Sequence, residues 1–287
     1  MEYENRLPPE GINTSRQHPL KQFLQLVIGA LVLVVMIVAM LQVSGSFLAR
    51  KIPFSYELAV MQRLNIPLGD ARRHADMTAY LNGLASRVGA HMAMPEDMQL
   101  TVHYDDDEVF NAFATVGGNL LFYRGLLSRM PDENTLAMVM AHEIAHVLHR
   151  DPVAALGGGV ASTIALLALT GNSGTGMAGQ LLNNAGMLTS IQFTRRMEVA
   201  ADRAALAAVN GLYGHVNGAA RLFELFRDGR DPHSQDKEPG VLERFVSTHP
   251  LDAERISNIS RLAVAEHWQQ QGELTPLPAD FKRWLER

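Results

Sequence analysis

The longest apolar run in the chain lies near its beginning, where residues 23–43 read FLQLVIGALVLVVMIVAMLQV without a charged side chain. As an α-helix rising about 1.5 Å per residue, this run reaches roughly 31 Å, which matches a hydrocarbon core of about 30 Å. The preceding residues 1–22 are polar, with Pro8, Pro9 and Gly11 among charges. We therefore predict a polar tail over 1–22 and one transmembrane anchor over 23–43.

Two other interpretations of this run stay open. A buried core helix can be apolar, although an apolar circumference of this length is unusual for one. A cleaved signal peptide is the stronger rival, because Val43, Ser44 and Gly45 are small enough for a signal peptidase. The run nevertheless exceeds the usual apolar length of about 7–15 residues in a signal peptide. Length therefore favours an uncleaved anchor.

The positive charges on either side of the run do not orient it. Three basic residues precede it and three follow, namely Arg6, Arg16 and Lys21, then Arg50, Lys51 and Arg63. The positive-inside rule counts such residues near the ends of a span. Because the two sides balance, the rule does not choose the side of the membrane.

From about residue 52 onward the pattern is that of a folded domain, which we predict over 52–287. Helical periodicity covers 57–65 and 70–90, and strand-like residues cluster around 100–104 and 119–123, with Gly117-Gly118 as a turn. From Asp132 to the end, the pattern predicts helices. The expected fold class is α+β, mostly α, with a small β-sheet and one preceding transmembrane helix.

A second uncharged stretch, residues 153–170, reads VAALGGGVASTIALLALT. Its three consecutive glycines and marginal length argue against a simple span. A hydrophobic hairpin packed in the domain or touching the bilayer is one interpretation, and an ordinary core helix is the other.

Composition removes several function classes. The 287 residues contain no cysteine, so disulfides, thiolate metal sites and cysteine nucleophiles are excluded. A net charge of −5 provides no basic surface for nucleic acid. Any metal site must therefore use His, Asp and Glu, and we expect no nucleic-acid partner.

The strongest chemical signal is the HExxH pattern of residues 142–146, HEIAH, within a helical stretch. Histidines four apart lie one turn above the other on one helix face, so His142 and His146 can converge on one Zn²⁺. Glu143 sits beside the first ligand, placed to contact water rather than the metal. Solvated helix residues are the alternative, but Ala, Met and Val border this face.

A third ligand is predicted on a second helix, within residues 190–210. Glu198 and Asp202 are four apart on an alanine-rich stretch that permits close packing against the first helix. We expect Glu198 to bind zinc and Asp202 to accept a hydrogen bond from a ligand imidazole. The alternative is that both carboxylates pair with neighbouring arginines on a solvated face.

These motifs, in this order, resemble the HtpX and CAAX-prenyl-endopeptidase family of gluzincins. The resemblance includes HEIAH at 142–146, EVAAD at 198–202, STHP at 247–250 and NAFA at 111–114, and it extends from about Ile52 to Arg261. It implies a zincin-like metallopeptidase domain with one Zn²⁺ per chain on His142, His146 and Glu198, and Glu143 as the base.

The resemblance also implies where a substrate lies. Asn111, Phe113 and the Gly118–Leu121 edge would flank an extended peptide, and the edge would offer backbone hydrogen bonds. His249 stays ambiguous, since its loop can supply a resting fourth ligand, contact the substrate or cap a following helix. Arg255 can orient Glu198 or Asp202, or pair locally.

We expect a single-anchor zinc endopeptidase of the bacterial inner membrane, with its catalytic domain outside the cytoplasm. Its expected partners are polypeptide substrates, namely misfolded, membrane or envelope proteins, and the lipid bilayer. One alternative is a catalytically inactive zinc-containing binding or chaperone module. Another is a membrane-organising protein whose histidines serve packing.

Overall fold

The structure is a computed structural model that describes residues 19–64, 68–69, 74–159, 191–221, 249 and 253–286. Its elements, in chain order, are α1 (Pro19–Ala49), α2 (Phe54–Leu64), α3 (Ala75–Gly89), β1 (Thr101–Asp105), β2 (Ala112–Thr115), a 3₁₀ turn (Val116–Gly118), β3 (Asn119–Tyr123), α4 (Arg124–Leu127), α5 (Glu133–Leu148), α6 (Arg195–Tyr213), α7 (Ala253–Ala265) and α8 (Phe281–Leu285). Residues 151–159 are also helical. The remainder of the uncharged stretch 153–170 lies outside the described residues.

Helix α1 includes the whole predicted span and extends beyond both of its ends. Within the described residues, one helix, Leu20–Ala49, is long and apolar enough to cross a membrane. None of its most apolar window is buried inside the chain, so the core-helix interpretation of this run is wrong. Length and composition fit a membrane span, and a signal sequence near the N-terminus has the same properties.

The three strands form a mixed sheet in the order β1-β3-β2. Strand β3 pairs in parallel with β1, matching Val102 with Leu120, and antiparallel with β2, matching Ala114 with Leu120. The sequence pattern did not predict β2. The expectation that Gly118–Leu121 forms a sheet edge is therefore wrong, because β3 is the central strand and β2 occupies the edge.

Helix α5 runs through the centre of the domain. Asp132 begins it by accepting a hydrogen bond from the Thr135 backbone N–H at 2.7 Å, the expected N-cap arrangement. The helix is buried from Glu133 to Val147 and packs against α6, α3 and β2. Polar groups on this helix are consequently shielded from water on every side.

The prediction of helices from Asp132 to the chain end is wrong for residues 266–280, which are irregular. Pro276 and Pro278 lie in this segment, and proline cannot donate the hydrogen bonds of a helix interior. The segment instead reaches the start of α5, where the Thr275 carbonyl accepts from the Glu133 backbone N–H at 2.9 Å. It thus satisfies a donor that helix geometry leaves free.

Two glycine substitutions test whether the 3₁₀ turn requires glycine at position 118. Gly118 has φ of +71°, and a Cβ there would overlap the Gln99 carbonyl oxygen. We expect Gly118→Ala to lower the free energy of unfolding by at least about 2 kcal/mol, because strain and overlap add. Urea denaturation of the detergent-solubilised chain measures this loss.

The matched control is Gly83→Ala in α3, where an added Cβ meets nothing within 4 Å. We expect this change to stabilise the protein by about 0.5–1 kcal/mol, since alanine favours a helix interior. Equal stability of the two variants would contradict a conformational requirement for glycine at 118.

Candidate metal centre

Four side chains from separate parts of the sequence come together in the interior. Helix α5 contributes His142 and His146, α6 contributes Glu198, and His249 joins them. All four are buried, and one ligand atom from each lies within 4.8 Å of the others. The structure therefore assembles the three predicted ligands and adds His249 as a fourth donor.

The distances between these atoms suit a small tetrahedral ion. His146 Nε2 lies 3.1 Å from His142 Nε2 and 3.4 Å from a Glu198 oxygen. His249 Nδ1 lies 3.4 Å from His142 Nε2 and 3.1 Å from Glu198. Zinc–ligand bonds of about 2.0–2.1 Å in a tetrahedron separate the ligand atoms by about 3.3 Å. The donor set and its spacing thus fit Zn²⁺.

His142 is oriented by a carboxylate behind it. Its Nδ1 lies 3.1 Å from Asp202 Oδ1, which leaves Nε2 directed at the other donors. Arg255 holds Asp202 with two hydrogen bonds of 2.8 and 2.7 Å and also contacts Glu198 at 2.7 Å. Arg255 therefore contacts both carboxylates, and Asp202 lies between Arg255 and His142.

His146 has an equivalent partner that the sequence analysis missed. Its Nδ1 lies 3.0 Å from Asp151 Oδ2, and both side chains are buried. Phe193 stacks on the other side of the imidazole, with ring centroids 3.9 Å apart. The position of Asp151, five residues after His146, shows a contact across a helix end, which helical periodicity does not predict.

Glu143 lies beside the four donors without joining them. Its carboxyl oxygen is 3.5 Å from His249 Nε2, and the side chain is fully buried. Burial raises the pKa of this carboxyl above its usual value, although the charges of His249 and His142 offset part of the rise. A carboxyl with a raised pKa takes up and releases a proton more readily near neutral pH.

The surrounding charges compensate one another. Burial would raise the pKa of Glu198, but the charge of His249 and hydrogen bonds from the histidines hold it well below its usual value. Burial would likewise lower the pKa of His142, but Asp202 and Glu198 raise it to about 10. The two carboxylates are therefore ionised at neutral pH, as metal binding requires of Glu198.

The predicted substrate residues lie on the edge of the sheet. Phe113 belongs to β2 and is buried against Tyr123, with ring centroids 6.2 Å apart. Asn111 immediately precedes β2, and its carbonyl accepts from the Tyr123 backbone N–H. The Ala114 backbone lowers the pKa of the Glu143 carboxyl, which places this part of β2 beside that carboxyl. Gly118 lies in the turn beyond.

Comparison with known proteins identifies the family to which this chain belongs. A mostly helical domain with an HExxH helix, a carboxylate from a second helix and a small mixed sheet is the architecture of a metallopeptidase-like domain. The model of peptidase family M48 matches residues 71–263. The chain belongs to peptidase family M48.

Several relatives support this assignment. The mitochondrial metalloendopeptidase OMA1 of Schizosaccharomyces pombe is 29% identical over 69% of this chain and 54% of its own length. The beta-barrel assembly-enhancing protease of Escherichia coli is 29% identical over 63% of this chain and 38% of its length. A protease HtpX homolog of Burkholderia thailandensis is 30% identical over 63% of this chain and 71% of its length. The chain thus spans about half or less of the first two relatives.

Arg255 provides a test of the charge balance around the site. It neutralises Glu198 and Asp202 in a setting where all three side chains are buried. Because Arg255→Ala leaves buried carboxylates without their cation, we expect a loss of about 3–5 kcal/mol in the free energy of unfolding of the metal-free protein. Arg255→Lys should restore part of it. Urea denaturation measures both.

The control is Arg203→Ala, which removes an exposed ion pair between α6 and Glu266. Exposed pairs contribute about 0–1 kcal/mol, so this variant should resemble the wild type. If Arg255→Ala were equally mild, the buried carboxylates would have other compensation.

Proposed function

We propose that this protein is a membrane-anchored zinc endopeptidase. The observation that carries the proposal is the buried set His142, His146, Glu198 and His249 at tetrahedral spacing, with the Glu143 carboxyl beside it. Membership of family M48 and relatives named as metalloendopeptidases and proteases support the same activity. His142, His146 and Glu198 would hold one zinc ion per chain.

Glu143 supplies the acid–base chemistry. When bound, zinc acidifies water and polarises the scissile carbonyl. Glu143 removes the proton of the attacking water and then delivers it to the leaving amine, so no covalent intermediate with the protein is needed. Its burial favours this shuttle, since a raised pKa brings proton release closer to neutral pH.

His249 regulates access to this chemistry. Its Nδ1 lies among the metal donors and its Nε2 faces Glu143, so its ring stands between the metal position and the base. A catalytic zinc site needs one position open for water. His249 would therefore serve as a fourth ligand in the resting site, and it would have to withdraw before substrate and water could enter.

The substrate is a polypeptide bound as an added strand on β2. Strand β2 is the edge strand of the sheet, and the Ala114 backbone lies beside Glu143. The four residues of β2 are buried, so this edge has to be uncovered before a peptide can pair with it. An extended peptide can pair with such an edge through main-chain hydrogen bonds. This role replaces the one first assigned to Gly118–Leu121. Asn111 and Phe113 shape the strand rather than bind metal.

The protein acts in quality control at the bacterial cell envelope, anchored by α1. Gly157 and Gly158 pack against the last turns of α1, where an added Cβ would come within 2.5 Å of Ala49 or Ser46. Such close contacts argue that the helix is retained rather than cleaved as a signal peptide. A relative named as a beta-barrel assembly-enhancing protease supports envelope proteins as substrates.

The Glu143→Gln variant separates catalysis from metal binding. Because the glutamine cannot take a proton, we expect proteolysis of casein to fall to background while about one zinc per chain is retained. Zinc content by mass spectrometry and fluorescent casein cleavage, both on the full chain in detergent, measure the two effects.

His142→Ala and His146→Ala serve as the matched comparison, and each should lose both zinc and activity. Appreciable cleavage by the Glu143→Gln protein would disprove the general-base role. Stoichiometric zinc in the wild type and in Glu143→Gln, with no cleavage by either protein, would support the binding-module alternative instead.

We expect a single span with the domain outside the cytoplasm. Protease added to spheroplasts that express the full chain should therefore degrade the domain and leave a small protected amino-terminal fragment. Western blots with amino- and carboxyl-terminal tags identify the fragments. Protection of the domain until the inner membrane is lysed would place the active site in the cytoplasm.

A further inference from the structure

Asp151 connects a metal-ligand candidate to the end of the membrane helix. One of its carboxylate oxygens lies 3.0 Å from His146 Nδ1, and the other accepts a hydrogen bond of 2.8 Å from Arg50. Arg50 directly follows α1 and is the first charged residue after the apolar run. The chain Arg50–Asp151–His146 thus extends from the anchor to the metal centre.

The turn that carries Asp151 is held against the same region by a second pair. Arg150 adopts a left-handed conformation, with φ of +62°, and so turns the chain between α5 and residues 151–159. Its guanidinium pairs with Glu57 of α2 at 2.7 Å and hydrogen-bonds the Ile52 carbonyl. Glu57 also accepts from the Gly117 backbone N–H at 2.8 Å, next to the edge strand.

The backbones meet in the same place. An added Cβ on Gly157 would lie 2.7 Å from the Gly45 carbonyl oxygen, and one on Gly158 would lie 3.2 Å from that of Gln42. Helices approach this closely only where small residues face each other. The helical residues 151–159 therefore lie directly on the last turns of α1, and Asp151 cannot shift independently of the anchor.

We propose that Arg50 and Asp151 are positioning residues for the metal centre, through which the seating of the anchor helix sets the zinc affinity of the site. Asp151 accepts a hydrogen bond from His146 Nδ1–H, which fixes the tautomer that leaves Nε2 free to bind a metal. Arg50 holds the Asp151 carboxylate in the orientation that this contact needs. The inference rests on the proposed zinc site.

The two proposed ligand histidines differ in how their partner aspartates are held. We therefore expect movement of the anchor helix to affect His146 more than His142. His142 is oriented by Asp202, which Arg255 holds from within the domain, and the Arg255 side chain is 3% exposed. His146 is oriented by Asp151, but Arg50 belongs to the anchor end and its side chain is 41% exposed. Movement of the domain relative to α1 would thus loosen one imidazole and leave the other in place.

The test uses the full chain in lipid nanodiscs, with the zinc dissociation constant measured by chelator competition. Outer-shell changes typically cost about 10–100-fold, so Asp151→Asn should weaken zinc binding by that factor. Arg50→Ala should weaken it by about two- to fivefold, as expected for loss of a partly exposed pair. Arg50→Lys should recover most of the affinity.

A double-variant comparison makes the route specific. If Arg50 acts through Asp151, Arg50→Ala should have no further effect on zinc affinity in the Asp151→Asn protein. The matched control is Lys51→Ala, which removes the neighbouring exposed cation and should leave affinity unchanged. Cobalt substitution adds a spectroscopic readout, because loosening of His146 alters the visible absorption of the bound ion in Arg50→Ala.

Thermal melting of the metal-free proteins separates positioning from folding, and the single variants should melt within a few degrees of the wild type. The inference is overturned if Arg50→Ala behaves like Lys51→Ala. It is also overturned if Arg50→Ala weakens zinc equally in both backgrounds. A wild-type protein that binds no zinc would instead refute the proposed function itself.

Discussion

The close approach of α5 and α6 is the constraint on which the rest of the site depends. Two histidines from one helix and a carboxylate from the other can share an ion only if the helix axes come near each other. Both helices present buried alanines around the polar residues, including Ala141, Ala145, Ala201 and Ala205. Small side chains keep the backbones close, so donor atoms on different helices reach separations of about 3.4 Å.

Burial at this depth has an electrostatic consequence. Ionised carboxylates removed from water are costly unless cations or hydrogen-bond donors surround them. Here the histidines and Arg255 enclose Glu198 and Asp202, and the compensation lowers the pKa of both carboxyls. Glu143 lacks comparable compensation, so its pKa moves in the opposite direction. The pKa values of two glutamates on neighbouring helices thereby shift in opposite directions, which suits the ligand role proposed for Glu198 and the proton-carrier role proposed for Glu143.

A second set of charged side chains surrounds the proposed ligands and orients them. Each helical histidine is backed by an aspartate, and each aspartate is held by an arginine. These outer groups come from α6, α7, the turn after α5 and the end of α1, so the metal centre draws on most of the chain. The 3₁₀ turn and β2 complete one wall, because Glu57 holds the turn while Ala114 approaches Glu143. The proposed ligands and the proposed substrate edge are consequently linked through the segment that follows α1.

The sequence by itself determined what local periodicity can encode. An uncharged run long enough for a membrane, the i, i+4 spacing of His142 and His146, and the same spacing of Glu198 and Asp202 all depend on helix geometry within one segment. The β3 strand was likewise predicted within its observed bounds, and the mostly helical α+β class was confirmed.

Tertiary structure alone decided the rest. Strand β2 has only four residues, two of them alanine, so its sequence pattern does not predict a strand. Its edge position follows from pairing with β3. Asp151 became a partner of His146 because the left-handed Arg150 folds the chain back, and Arg50 joined it across 101 positions of sequence. Arg255 contacts Asp202 across 53 positions of sequence. Contacts between distant segments depend on how whole helices pack, and no pattern within one segment contains that information.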